Sequence, residues 1–179
     1  MHQFAATVLR RCDVAELDYC LRINRWARNT GVRRFFAAVS RLGDGVFWYA
    51  LILALPLAYG RAGLIPALQM SITGALGLLS YKWLKRHLVR ERPYVAHAGV
   101  HCATRPLDRY SFPSGHTLHA VAFTALATHY FPELALLLVP FAVLIALSRV
   151  VLGLHYPTDV AAGGVIGLVL ALASLALAG

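Results

Sequence analysis

Three cationic side chains, two histidines and one carboxylate stand in a pattern suited to moving a phosphoryl group. The first cluster is Lys85, followed by Arg92-Pro93; the second is Pro113-Ser114-Gly115-His116; the third is Ser148-Arg149, then His155 and Asp159. A phosphoryl group in transfer spreads negative charge over its equatorial oxygens, so catalysis is mostly positioning and cationic stabilisation. Lys85, Arg92 and Arg149 can supply that charge, the two guanidiniums through paired donors. Ser114 and Gly115 lie where a proline-punctuated loop turns into an apolar run, and a helix N-terminus presents N–H groups to phosphate. Ser114 by itself reads as a plain helix cap. Asp159, four residues after His155, can accept the proton on one ring nitrogen, the orienting part a carboxylate plays in catalytic triads.

These clusters resemble the three-part signature of the type 2 phosphatidic acid phosphatase superfamily, KxxxxxxRP, PSGH and SRxxxxxHxxxD, matched at all eleven fixed positions between residues 85 and 159. The resemblance implies that His155 is the nucleophile, forming a phosphohistidine, and that His116 is the general acid that protonates the leaving oxygen. It assigns Lys85, Arg92, Ser114, Gly115 and Arg149 to the phosphate, and it implies a reaction without metal or other cofactor. The expected activity is hydrolysis of a phosphomonoester or diphosphate on a membrane lipid. A polyprenyl phosphate or diphosphate such as undecaprenyl diphosphate is favoured, because a small bundle leaves room for only a small headgroup pocket. Phosphatidylglycerophosphate, phosphatidic acid and lipid A 1-phosphate are the family's other substrates.

Two rival readings differ in class. A metal-dependent hydrolase would use His116 and His119, spaced i,i+3 on one helix, with His155 and Asp159. However, the three cations already fill a metal's electrostatic role. A non-catalytic lipid-phosphate-binding protein is the other, and it is disfavoured because no motif position is substituted. His2, His87, His101 and His129 match no motif position and read as surface or packing residues.

The elements that must position these residues are apolar helices. The 179 residues are enough for one domain; they are 59% hydrophobic and 14% charged, against roughly 45–50% apolar in soluble proteins. Five apolar runs, roughly 46–60, 62–81, 115–131, 133–152 and 158–179, each suit a membrane crossing, the first being short at about 22 Å. The fold expected is all-α: a multi-pass helical membrane bundle of about five transmembrane helices over 46–179. Residues 1–45 form an amphipathic N-terminal segment lying on the membrane. The short linkers at Arg61 and Pro132-Glu133 force antiparallel neighbours, and Gly163 with Gly167 reads as a close helix contact. The linkers 82–112 and 153–157 then share one face with the N-terminal segment. Pro157 suits the first position of the last helix, which puts Asp159 in its first turn.

The net charge of +9 does not indicate nucleic acid, because the basic residues flank the apolar runs instead of lining one solvated face. A membrane surface and an anionic lipid are the partners it implies. Lys82, Arg86 and Arg90 read as ordinary juxtamembrane charge. Arg149, near the end of an apolar run, would cost about 2.5–3.5 kcal/mol if unpaired and deep, so an anionic partner is expected. Cys12, Cys20 and Cys102 are odd in number and form no CxxC pair, which argues against a disulfide framework or zinc ribbon. Arg10 and Arg11 interrupt the first apolar residues, so no signal-peptide hydrophobic region is expected. Eight basic residues precede Gly45, seven lie in 82–112 and Arg149 shares their face, against Arg61 alone on the other. Setting aside Lys85, Arg92 and Arg149 leaves thirteen against one, and the positive-inside rule predicts a cytoplasm-facing site in a bacterial inner membrane.

Overall fold

The computed structural model describes residues 2–178, with side chains from residue 12 onward; the side-chain expectations for 1–11 lie outside the described residues. Among the described residues every regular element is helical: α1 (His2–Asn24), α2 (Thr30–Leu42), α3 (Val46–Tyr59), α4 (Leu64–Leu88), the one-turn α5 (Pro93–Ala96), α6 (Gly115–Tyr130), α7 (Ala135–Val151) and α8 (Pro157–Ala178). The five apolar runs become α3, α4, α6, α7 and α8. Three stretches are long and apolar enough to cross a membrane by length and composition: Val46–Ala96, which holds α3 and α4 together, Pro132–Val151 and Pro157–Ala178.

The remaining apolar helix, α6, is the axis of the bundle and packs against α4, α7 and α8. It has 16 residues, about 24 Å at the usual rise, and buries Leu118, Ala120, Ala122, Phe123, Leu126 and Ala127. A helix that is apolar on most sides belongs in an interior. Around it, the outward faces carry leucines open to the surroundings: Leu57 is 86% exposed, Leu136 89% and Leu177 90%. Apolar surface on that scale is covered by lipid in a membrane protein and by little else.

Between helices that face lipid the hydrophobic effect contributes little, and close van der Waals packing holds them together. Gly163 and Gly167 serve this contact. A Cβ at Gly163 would fall 2.4 Å from the Ser114 carbonyl oxygen, and one at Gly167 would fall 2.3 Å from that of Leu118. Away from the catalytic end, the Tyr59 hydroxyl donates to Glu133 at 2.7 Å and its ring stacks on Phe131, tying the end of α3 to the α6–α7 turn.

The N-terminal segment is two helices instead of one. A 3-10 turn over Arg25–Arg28 ends the first, and the Asn29 side chain caps the second by accepting from the N–H groups of Gly31 and Val32 at 2.8 and 3.2 Å. Both lie at the end of the bundle that carries the three motifs. There the Asn24 amide donates to the Val151 and His101 carbonyls at 2.9 and 3.0 Å, and its oxygen accepts from His101 N–H at 2.8 Å.

The second apolar run continues past residue 81, so Lys85 projects from the last turns of α4 and not from a loop. The helix stops at Val89, which has φ 43° and ψ 48°. A β-branched residue in the left-handed region is disfavoured. That turn reverses the chain and carries Arg90 and Arg92 back beneath the bundle. Pro157 opens α8 and Asp159 sits in its first turn, as its spacing predicts.

Candidate active site

The helix ends that meet at this face deliver the motif residues from four directions. Lys85 comes from the end of α4, Arg92 from the residue before α5, His116 from the start of α6 and Arg149 from the last turn of α7. With Asp108 and His155 they line a cavity of about 260 Å³ whose other walls include Trp48, Tyr49 and Tyr81. A second cavity of about 740 Å³ joins it through Asp44, Leu107, His116 and Arg149 and is edged by Arg34, Arg41 and Arg105.

Two of the cations are already paired. Lys85 Nζ donates to both oxygens of Asp108 at 2.8 and 2.9 Å and to the Tyr110 carbonyl at 2.9 Å. Arg92 donates through Nη2 to Asp108 Oδ1 at 2.5 Å and through Nη1 to the Leu154 carbonyl at 2.7 Å. Among the described residues no carboxylate forms a hydrogen bond or ion pair with Arg149. Its Nη1 donates to the hydroxyl of Ser40 on α2, and its Nε has no hydrogen-bond partner among the described residues. Arg149 is only 3% exposed, and a buried cation left with one neutral acceptor is costly unless an anion completes it. The expectation failed because the residue facing the cavity there is a hydroxyl-bearing one from a distant helix.

His155 is 2% exposed. Its Nε2 lies 3.3 Å from Arg92 Nη1 and its Nδ1 lies 3.5 Å from Asp159 Oδ2. Arginine can only donate, so that contact places the imidazole lone pair on Nε2 and the proton on Nδ1, toward Asp159. Burial, followed by the charges of Arg149, Arg92 and Lys85, holds the His155 pKa well below its ordinary value. The ring is thus neutral and nucleophilic at neutral pH. The sequence-predicted contact is longer than a hydrogen bond here; Asp159 Oδ2 also accepts from Tyr156 N–H at 2.8 Å, and Oδ1 accepts from Arg90 at 2.6 Å.

At the opening of α6, Gly115 and His116 line the cavity, and a side chain at Gly115 would press on the Tyr81 ring at 3.1 Å. Ser114 is fully buried and acts as the helix cap. Its Oγ contacts Thr117 Oγ1 at 2.9 Å and accepts from the Thr117 N–H at 3.4 Å, while its own N–H donates to the Asp159 carbonyl at 3.0 Å. His116 Nε2 is 3.4 Å from Asp44 Oδ1. His119 also lines the cavity, with its ring nitrogens 3.1 and 3.0 Å from the carbonyls of Gly115 and Gly74. Among the described residues no three His, Cys, Asp or Glu side chains gather as a metal site.

The family model described as the PAP2 superfamily matches residues 58–179. The chain belongs to the PAP2 superfamily. Decaprenylphosphoryl-5-phosphoribose phosphatase of Mycolicibacterium smegmatis is 37% identical over 145 residues, covering 76% of this chain and 74% of that protein. Lipid A 1-phosphatase of Rhizobium etli is 31% identical over 157 residues, covering 76% and 67%. The solved structure of Aquifex aeolicus LpxE superposes with a TM-score of 0.74 at 26% identity, covering 90% of this chain and 95% of that one. This PAP2 protein is an integral membrane enzyme, a phosphatase of membrane lipids, and its motif residues sit where the three signature clusters converge.

Four other residues of this PAP2 site match no motif position. Asp108 pairs with two of the cations, Asp44 faces His116, Ser40 holds Arg149, and Arg90, expected to be ordinary juxtamembrane charge, is 3% exposed behind Asp159. The one signal for Arg90 in the sequence was its place two residues before Arg92 in a segment with no helical spacing.

Proposed function

We propose that this PAP2 phosphatase hydrolyses a polyprenyl phosphate or diphosphate, undecaprenyl diphosphate before others, through a phosphohistidine on His155. The observation that carries the reading is Arg149, a buried guanidinium beside His155 whose only hydrogen-bond partner among the described residues is the Ser40 hydroxyl. Such a group calls for an anion in the cavity, and phosphate oxygens suit it.

In the reaction proposed, the lone pair on His155 Nε2 attacks the terminal phosphorus while its bond to the leaving oxygen, which bridges to the second phosphate in a diphosphate or to the lipid carbon in a monophosphate, breaks in line. Lys85, Arg92 and Arg149 hold the equatorial oxygens, helped by the first turn of α6 at Gly115, which Ser114 caps. His116 gives its proton to the departing oxygen. Asp159 steadies the charge that builds on the His155 ring. Water then attacks the phosphohistidine with His116 taking its proton, and inorganic phosphate leaves with His155 restored. The tail of the lipid enters along Trp48, Tyr49 and Tyr81.

The cavity of about 260 Å³ that holds the motif residues suits a single phosphate at the reacting end, and the neighbouring cavity edged by Arg34, Arg41 and Arg105 suits a second anionic group. The test is phosphate release by the purified protein from undecaprenyl diphosphate, undecaprenyl phosphate, phosphatidylglycerophosphate, phosphatidic acid and lipid A. The highest kcat/KM is expected on the polyprenyl diphosphate, and a preference for lipid A or a glycerolipid overturns that choice. Brief mixing with radiolabelled substrate should trap acid-labile phosphate on the protein. His155→Ala should abolish both the label and turnover, and wild-type turnover by this variant would sink the mechanism. Asp159→Asn should keep residual activity, lowered about 100- to 1,000-fold.

A further inference from the structure

The inward face of α1 carries polar groups among its apolar ones. Glu16, Cys20 and Asn24, spaced i, i+4 and i+8, are all buried, and Asp13 lies one turn before Glu16. A helix that merely rests on a membrane would turn its charges to water and its apolar side chains to the protein or lipid. Here the apolar Val14 and Tyr19 are exposed beside the Asp18–Arg22 ion pair, while Asp13 and Glu16 turn toward the protein. The two buried-side carboxylates converge on Arg90. Arg90 Nε donates to Asp13 Oδ1 at 2.8 Å, and Nη2 lies 2.7 Å from the same oxygen and 3.6 Å from Glu16 Oε2.

The other end of the guanidinium reaches the candidate catalytic carboxylate. Arg90 Nη1 donates to Asp159 Oδ1 at 2.6 Å and to Thr158 Oγ1 at 2.8 Å. Glu16 closes the ring by accepting from the Thr158 hydroxyl and N–H at 3.0 and 3.3 Å. The guanidinium also lies 4.1 Å from the centre of the Tyr156 ring, and the Arg90 carbonyl accepts from Ser111 N–H at 2.8 Å. Arg90 is thereby fixed at both backbone and side chain.

We infer that Arg90, held by Asp13 and Glu16 of α1, is the positioning residue that aims Asp159 at His155, which makes the N-terminal helix part of the catalytic apparatus. The inference rests on the assignment of His155 and Asp159 under the proposed function. Its physical content is specific. Asp159 is wholly buried, and a buried carboxylate without a cation would take up a proton or turn toward other donors. Arg90 satisfies Oδ1 and so leaves Oδ2, steadied by the Tyr156 N–H, as the oxygen presented to the histidine. One guanidinium facing three carboxylates stays charged and immobile, and its planar fork reaches two of them at once, which a lysine cannot do. Residues 13 and 16 lie outside the stretch matched by the family model, 58–179, so this chain supplies the support from its own N-terminal segment.

The test is steady-state kinetics of the full-length protein in detergent, with inhibition by vanadate as the measure of an intact phosphate site. Arg90→Met should lower kcat about 100-fold and Arg90→Lys about tenfold, the range seen when partners that orient a reacting ligand are removed. KM and vanadate inhibition should stay within about threefold of wild type. Asp13→Asn combined with Glu16→Gln should lower kcat about tenfold in the same way. Each loss should vanish in an Asp159→Asn background, because the residues act only through that carboxylate. Losses that multiply with Asp159→Asn overturn the inference, since a structural contribution would not be masked. If Arg90→Met does not fold, the Asp13 and Glu16 pair decides, and a wild-type kcat there overturns it. Wild-type kcat in Asp159→Asn instead overturns the assignment of Asp159 on which it rests. An inactive Asp159→Asn beside a fully active Arg90→Met overturns the clamp alone.

Discussion

Asp108 accepts from Lys85 Nζ through both carboxylate oxygens, at 2.8 and 2.9 Å. One of those oxygens also takes a hydrogen bond from Arg92. A carboxylate bridging two cations in this way occupies donors that phosphate oxygens would use, and substrate must displace it. Asp108 is 38% exposed on its side chain, so the pair is worth only about 1 kcal/mol, or roughly fivefold in affinity. Asp108→Asn should therefore tighten inhibition by inorganic phosphate or vanadate roughly fivefold. Unchanged or weaker inhibition would mean that Asp108 places the cations and does not compete for them.

Asp44 stands in a comparable relation to His116, with Oδ1 at 3.4 Å from Nε2. A nearby carboxylate favours the protonated acid that the leaving group needs, against the burial and the charges of Arg149, His119, Lys85 and Arg92 that hold the His116 pKa well below its ordinary value. Burial pushes the Asp44 carboxyl above its ordinary pKa, against the opposing pull of Arg149 and His119. Asp44→Asn should lower kcat on a lipid phosphate about tenfold. On a nitrophenyl phosphate, whose leaving group needs little protonation, the loss should be much smaller, and His116→Ala should show the same contrast. Equal losses on both substrates would remove His116 from the acid role and Asp44 with it.

The cations, the histidines and Asp159 were legible in the sequence because each is fixed by spacing along the chain to a helix end, and five apolar runs place those ends on one face. The α6–α8 contact was legible for the same reason, Gly163 and Gly167 falling one turn apart. What was not legible is contact between distant segments. Arg149 meets Ser40 across 109 positions and Arg90 meets Asp13 across 77, and no periodicity links such pairs. Arg90 reads as loop charge until the left-handed Val89 is seen to turn the chain inward. The N-terminal segment showed its amphipathic pattern but not that Asp13, Glu16 and Asn24 turn toward the protein.

His155 supplies a prediction in pH. Its pKa lies well below the ordinary 6.5 because the ring is buried and faces Arg149, Arg92 and Lys85. A lowered pKa keeps the neutral form present at more acidic pH, so the ring should still be neutral at pH 6.5. Removing one of those positive charges should raise the value. Histidine NMR of the labelled protein, assigned with His155→Ala, should show no protonation of His155 between pH 7.5 and about 6. In Arg149→Gln the titration should move to higher pH. A wild-type midpoint at 6.5 or above, or no upward movement in the variant, contradicts this account of the site.

The last prediction concerns which side of the membrane the site faces. The structure gathers α1, α2, the 97–112 loop and the motif residues at one end of the bundle, while Arg61 lies in the turn between α3 and α4. Setting aside Lys85, Arg92 and Arg149 for phosphate, and Arg90 for its buried clamp, twelve basic residues remain on the catalytic face against one on the other. None of the twelve carries a motif role, and the positive-inside rule predicts that this face lies in the cytoplasm. Cys102 is a poor reporter of this. Its thiol donates to the Thr104 carbonyl at 3.2 Å, and burial raises its pKa, which lowers the thiolate fraction that labelling reagents need. Arg105 is exposed in the same loop and Arg61 is exposed at the opposite turn. With Cys12, Cys20 and Cys102 replaced by alanine, Arg61→Cys should react with a membrane-impermeant maleimide in intact cells. Arg105→Cys should react only after lysis. Labelling of Arg105→Cys from outside, with Arg61→Cys protected, would reverse the orientation and place the reaction on lipid phosphates of the outer leaflet.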